Sequence, residues 1–530
     1  MSEEAAKVQG VPPEGQDGKE FLGRDPIGKL LLKLALPTVV AQLINMLYNI
    51  VDRIYIGHMP VNGQQALTGL GVCMPLILLV SAFAALIANG GAPRASIYMG
   101  KGDNESAERT LGNCFVTQII ISVVLTAVLL VFNEQLLWLF GASENTIAYA
   151  ADYMNIYAVG TIFVQLTLGM NAFITAQGFA TTGMLSVLIG AVANIALDPL
   201  FIYAFGMGVQ GAALATIISQ AASCAWVLIF LFGKRSFLKI RPKYFRLQAK
   251  IILPSLALGF STFVMQASES IILICFNSSL KKYGGDIAVG AMTVLSSVMQ
   301  FAMLPLQGLG QGAQPIISYN YGAKKADRVK KAFRMLLISS LCYSVTLWVL
   351  VMAIPQAFVM MFNTNADLVA YTKPALRIYL GVLLLFGIQV ACQMTFTAMG
   401  NAAASVVVAV VRKFVLLLPL IYIMPLIYTA DKATAVFMAE PVADIIAVLF
   451  TAILFFFQFR RFLRKMRASE DPAGRTQSES GKRKGRSGTL FVSSRRKSGK
   501  AVSRKDCAER IKKSGGVAGF FIKFSSSLSS

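Results

Sequence analysis

Two stretches of this chain, 222 residues apart, match position for position: Gly90, Pro93, Ser96 and Gly100 recur as Gly312, Pro315, Ser318 and Gly322. Further on, Thr175, Ala176 and Gly178 recur as Thr397, Ala398 and Gly400. The sequence between these landmarks is mostly apolar and helix-forming. A duplicated apolar chain predicts two similar helical bundles. Halves of this kind enclose a site between them and rock about it, which is the design of a secondary transporter.

The chain is 55% hydrophobic and 14% charged, with a mean hydropathy of +0.62, whereas soluble proteins carry roughly 25% charged residues. Runs long enough to cross a bilayer, about 20 residues each, recur throughout. They fall at roughly 34–57, 66–90, 110–133, 150–171, 184–205, 211–233, 251–276, 287–310, 332–354, 376–398, 405–428 and 436–458. The expected fold is an all-α membrane protein, twelve transmembrane helices in two six-helix lobes. Its divisions are a cytoplasmic segment at 1–29, an N-lobe at 30–233, a basic connector at 234–250, a C-lobe at 251–458 and a tail at 459–530.

Basic residues set the orientation. The connections after even-numbered runs carry Arg94, Lys101 and Arg109, then seven Lys or Arg between Lys234 and Lys250, then Lys324 to Lys331. The positive-inside rule makes those connections and both termini cytoplasmic. An even number of spans per half gives the halves one orientation and a pseudo-twofold axis along the membrane normal. Arg412 and Lys413, near the start of the eleventh run, are expected to snorkel to the cytoplasmic interface. Residues 1–29 lack a signal-peptide pattern, so the first run is expected to serve as the insertion signal.

The tail holds 20 Lys or Arg against 5 Asp or Glu, which is +15 of the formal +23. The charge therefore does not indicate nucleic-acid binding. Contact with anionic lipid and plain solvated disorder are both open readings. The seven cysteines, Cys507 among them, show no paired or metal-ligand spacing.

Ionisable and amide groups inside the spans cost several kcal/mol, so each needs a reason. Span one carries Gln42, Asn45, Asn49 and Asp52 with Tyr48, at spacings that share one helical face. Span five carries Asn194 and Asp198, one turn apart. The alternative for each stripe is interhelical hydrogen bonding that only holds the bundle together. At 1.5 Å per residue, Asp52, Tyr153, Asp198 and Thr216 fall in one band roughly 5–10 Å below the outer ends of their helices. Two carboxylates, an amide, a hydroxyl and a phenol at one level suit a site that trades a proton for Na⁺. Burial and a neighbouring carboxylate favour a protonated carboxyl, and the same oxygens ligate hard cations.

These residues resemble the multidrug and toxic compound extrusion (MATE) family, in particular its bacterial, non-eukaryotic branches. The resemblance covers about 30–458. It is carried by Leu36-Pro37, Val51-Asp52, Gly91-Ala92-Pro93 with Gly100, Ala176-Gln177-Gly178, and Asn194 with Asp198. It implies Asp52, Asn194, Asp198 and Thr216 as proton or Na⁺ ligands, with Tyr153 as a supporting hydrogen bonder. It also implies an antiporter of organic cations in a bacterial inner membrane.

The second half is poorer in acids. Pro37 aligns with Pro254, which pairs Asp52 with Glu269, and Gln266 shares its face. No acid occurs in 376–398, so a second ion site is not expected and Glu269 reads as a cavity residue that attracts cations or as a structural partner. Gln300, Gln307, Gln311 and Gln314 line one face of span eight and, with Asn45 and Asn49, are expected at the substrate cavity, bundle packing being the alternative. Glu440 and Asp444 are expected to be buried. His58 reads as an interfacial residue, and the 35 Phe and 22 Met suit a promiscuous pocket or lipid equally.

An exporter driven by H⁺ or Na⁺, working as a monomer without a cofactor, is thus the leading expectation. A lipid-linked oligosaccharide flippase of the same superfamily is the alternative, weakened by the lack of mid-membrane basic residues in the first six spans. The chain has no P-loop or metal-ligand cluster to suggest an enzyme or primary pump.

Overall fold

The computed structural model describes residues 21–59, 63–362 and 365–470. The expectations that fall on 1–20 and 471–530, Cys507 included, lie outside the described residues.

Twelve principal helices follow in order: α1 (Ile27–Gly57), α2 (Gly63–Gly100), α3 (Asn104–Val131), α4 (Ile147–Ala176), α5 (Ala180–Ala204), α6 (Gly208–Phe232), α7 (Ala249–Gly322), α8 (Ala326–Ala353), α9 (Ala366–Tyr379), α10 (Phe386–Ala398), α11 (Ala402–Ile427) and α12 (Lys432–Glu470). Among the described residues, ten are long and apolar enough to cross a membrane, and the pair α9–α10, bent by 41°, makes an eleventh. The 74-residue α7 is interrupted at Gly285, whose φ of 69° and ψ of −162° are not helical. Leu36, Leu139, Ile229, Ile427 and Phe457 point outward, as an apolar solvent allows.

The repeat is visible in atomic detail. Ser96 Oγ donates to the Ala176 carbonyl at 2.9 Å, and Ser318 Oγ donates to the Ala398 carbonyl at 2.8 Å. The first bond ties α2 to α4, and the second ties the C-terminal part of α7 to α10. Gly178 and Gly400 both take positive φ, 91° and 72°, a backbone that favours glycine.

The halves meet closely at one end. A Cβ on Gly259 would lie 1.8 Å from the Leu86 carbonyl oxygen, and one on Gly90 would lie 2.0 Å from that of Ser255. Near the helix ends Gly100 approaches the Tyr319 carbonyl, and Gly322 that of Ile97, at 2.0 Å each. Small residues let membrane helices approach to backbone contact. Thr38 Oγ1 adds a bond to the Gly308 carbonyl at 2.7 Å.

At the other end the apolar cores are separate. One runs through Ile56, Leu70, Tyr153 and Val209, all in the first half; another through Phe276, Met292, Val369 and Phe437, all in the second. The remaining two cores mix the halves, joining Leu30 and Ala180 to Ile316, and Ala95 to Ile252.

Two boundaries differ from expectation. The last helix does not stop at Gln458 but continues to Glu470. Phe455 and Phe459 pack on Phe333, and Phe462 on Tyr321, a helical stripe that the basic composition conceals. The tenth run is not one helix: it breaks at Leu380–Leu385 between α9 and α10.

Candidate functional site

The five residues expected to bind the ion come from α1, α4, α5 and α6, and all but Thr216 are buried. Asn194 Nδ2 donates to Asp198 Oδ1 at 3.2 Å, one helical turn apart. Asp52 stands close enough to Asp198 and Tyr153 to act on both electrostatically. Thr216 lies close enough to Tyr153 to act on its phenol, and its own hydroxyl donates to the Ala212 carbonyl at 3.0 Å. The structure therefore brings these residues together.

Local backbone supports the site. Pro199 follows Asp198 and removes one helical donor, and α5 then widens into a π-helical turn at Leu200–Ala204. Such turns are frequent at functional sites.

The oxygens of the set are underused. Asp52 Oδ1, Asn194 Oδ1 and Asp198 Oδ2 are buried and accept no hydrogen bond among the described residues. A buried acceptor left without a donor costs about 1–3 kcal/mol. A proton or a hard cation would satisfy them. No group of three or more His, Cys, Asp or Glu able to hold a metal occurs among the described residues, so any cation here would be held by a mixed set of carboxylate, amide and hydroxyl. Asn194 and Thr216 also line a cavity of about 30 Å³ with Asn45 and Tyr48, room for one or two waters.

The expected cavity residues divide. Asn49 is exposed and donates to the Asn45 carbonyl at 2.5 Å. Gln300 is exposed, and Gln266 and Gln307 are half-buried. Gln311 instead accepts from Gln42 Nε2 at 3.1 Å, a bond between the halves. Gln314 keeps a buried Nε2 without an acceptor among the described residues. His58, at the end of α1, is exposed and pairs with the Ile54 carbonyl at 2.8 Å.

The second half holds what sequence reasoning misplaced. Arg412 and Lys413 do not snorkel; both are buried in a π-helical turn at Val411–Leu417. Arg412 lies ten residues into α11, about 15 Å along the helix, too deep to reach an interface. Its Nε donates to Asp444 at 2.8 Å, and its other end meets Glu440 at 3.6 Å. Its guanidinium stacks on Phe386. Lys413 Nζ meets Glu269 at 2.7 Å, so Glu269 has a structural partner. The available signal was a charge match: two basic residues in one span and two acids a turn apart in the next.

Fold and buried polar set define a multi-pass membrane transporter. The MatE family sequence profile matches residues 37–200 and again 261–423, once per half, and the chain belongs to the MATE transporter family. It is 23% identical to the multidrug export protein MepA of Staphylococcus haemolyticus over 404 residues, covering 76% of this chain and 88% of that one. A MATE crystal structure in the bent conformation superposes with a TM-score of 0.79 at 21% identity, over 86% of this chain and all of the other. An outward-facing multidrug resistance MATE transporter gives 0.79 at 21%, over 85% and 99%.

Proposed function

We propose that the protein is a secondary antiporter that exports organic cations in exchange for H⁺ or Na⁺. The observation that carries this is the buried Asp52, Asn194 and Asp198 set, each with an oxygen that accepts no bond among the described residues, beside a cavity of about 30 Å³. That space suits a coupling ion, not a drug. The drug is taken between the halves, and the exposed Gln300 and Glu269 are the polar groups offered to it.

Dividing α7 at Gly285 and joining α9 to α10 gives twelve spans in two six-helix lobes. The lobes contact at their cytoplasmic ends and hold separate cores at the outer ends, which suits an outward-open state with both termini in the cytoplasm of a bacterial cell. The ion binds from outside, and its differing affinity for the two conformations drives the change. The protein acts as a monomer, with no cofactor beyond the ion and no nucleic-acid partner. The relatives' naming as multidrug exporters supports the substrate class.

A flippase needs basic groups free to hold a pyrophosphate. The mid-span cations Arg412 and Lys413 are buried and paired with carboxylates, which disfavours that reading. Asp198→Asn is expected to abolish dye efflux from proteoliposomes under imposed pH and Na⁺ gradients while the protein still inserts. Full efflux by that variant would sink the site.

A further inference from the structure

The two halves treat one volume in opposite ways. In the first, Gly190 and Ala191 line the small cavity beside Asn194. At the repeat offset of 222, the second half carries Arg412 and Lys413 at those positions, and Glu440 and Asp444 in place of Ile218 and Ala222. Where one half leaves room for a small cation, the other fills the space with two tethered ones.

The resulting cluster is one cation short. With all three carboxyls ionised, Arg412 and Lys413 face Glu269, Glu440 and Asp444 with two positive charges against three negative. Tyr379, the repeat partner of Tyr157, lies among them. An uncompensated charge at this depth is costly. The cluster is also open at one member only: the Glu269 side chain is 54% exposed, while Lys413, Arg412, Glu440 and Asp444 are 7% or less. Lys413 has a second carboxylate close by, since Glu440 also lies within its electrostatic reach.

We propose that Glu269 takes the cationic group of an organic monocation and that Lys413 is the resident cation it displaces, the ammonium turning to Glu440. The exchange balances. Before it, Lys413 holds Glu269 while Arg412 is shared between Asp444 and Glu440. After it, the substrate holds Glu269, Lys413 holds Glu440 and Arg412 holds Asp444, so three cations meet three carboxylates. Lys413 is thus a specificity-determining residue: a weak cation cannot displace it, and an anion gains nothing from an ammonium already paired.

This inference rests on the reading of the protein as an exporter of organic cations, and its test separates the two. The full chain in lipid nanodiscs is titrated with tetraphenylphosphonium, whose charge does not depend on pH. Lys413→Gln removes the competitor and should lower Kd about tenfold; the carboxylate it leaves is half-exposed, so the variant should fold. Glu269→Gln should raise Kd by a similar factor, and the double variant should match Glu269→Gln alone. Should Lys413→Gln fail to fold, Glu440→Gln gives the second readout: it leaves Lys413 nowhere to turn and should weaken binding about tenfold. Unchanged or weaker binding in folded Lys413→Gln, or wild-type affinity in Glu440→Gln, overturns the exchange and leaves the export reading standing. Failure of the wild-type protein to bind the probe overturns both.

Discussion

Arg412 Nε donates to Asp444 Oδ1 at 2.8 Å with both residues buried. A buried ion pair adds little net stability, but removing one partner leaves a charge without its counterion. Arg412→Met is therefore expected to cost about 3–5 kcal/mol, read as a lowered melting temperature in detergent. The double change Arg412→Met with Asp444→Leu should recover most of that loss. Equal loss in single and double variants would mean that Arg412 acts through packing on Phe386 and not through charge.

The interface between the halves gives a second expectation. Gly259→Ala places a Cβ 1.8 Å from the Leu86 carbonyl oxygen, and neither backbone can yield locally. Such overpacking costs about 1–3 kcal/mol. Gly71→Ala on α2 has open space and should be neutral. Melting curves of the two variants, run side by side, check this. If the halves must separate during transport, Gly259→Ala should also shift the protein toward the form open at that end, detectable as faster labelling of a cysteine placed at Tyr319.

Gly178 and Gly400 occupy equivalent places in the repeat with φ of 91° and 72°, so alanine strains both by about 1–2 kcal/mol. Their surroundings differ. A Cβ on Gly178 would come within 2.3 Å of the Phe21 ring, while Gly400 meets only Ile97 Cδ1 at 3.4 Å. Gly178→Ala should therefore be the more destabilising of the pair, measured by thermal melting of each single variant. An equal loss would show that the ring moves aside freely.

Much of this architecture was legible because its determinants are local. The repeat glycines and serines occupy positions where only a small or hydroxyl side chain suits the contact, as the matched Ser96 and Ser318 bonds show. The acid and amide stripes on α1 and α5 were legible for the same reason: one helical period collects them. What escaped was pairing across elements. Arg412 and Lys413 look like interfacial anchors when read within their own span, and only the approach of α7 and α12 turns them into buried counterions. The extension of α12 escaped because Phe459 and Phe462 carry the apolar stripe of Phe455 on into a basic stretch, and an averaged composition erases a stripe.

The final expectation concerns Asp52 and Asp198. These carboxyls share one low-dielectric pocket, each within the other's field, and Asp198 has an oxygen that accepts nothing among the described residues. Neutralising either removes like-charge repulsion. Asp52→Asn should therefore leave the melting temperature unchanged or raise it, while gradient-driven efflux is lost. This is the trade expected where function keeps a strained group in place. If both carboxyls serve one binding event, the Asp52→Asn, Asp198→Asn double variant should transport no worse than either single one. Efflux that survives in Asp52→Asn but not in Asp198→Asn would assign the coupling ion to α5 alone, and a lowered melting temperature in Asp52→Asn would mean that α1 is held by this carboxylate instead of strained by it.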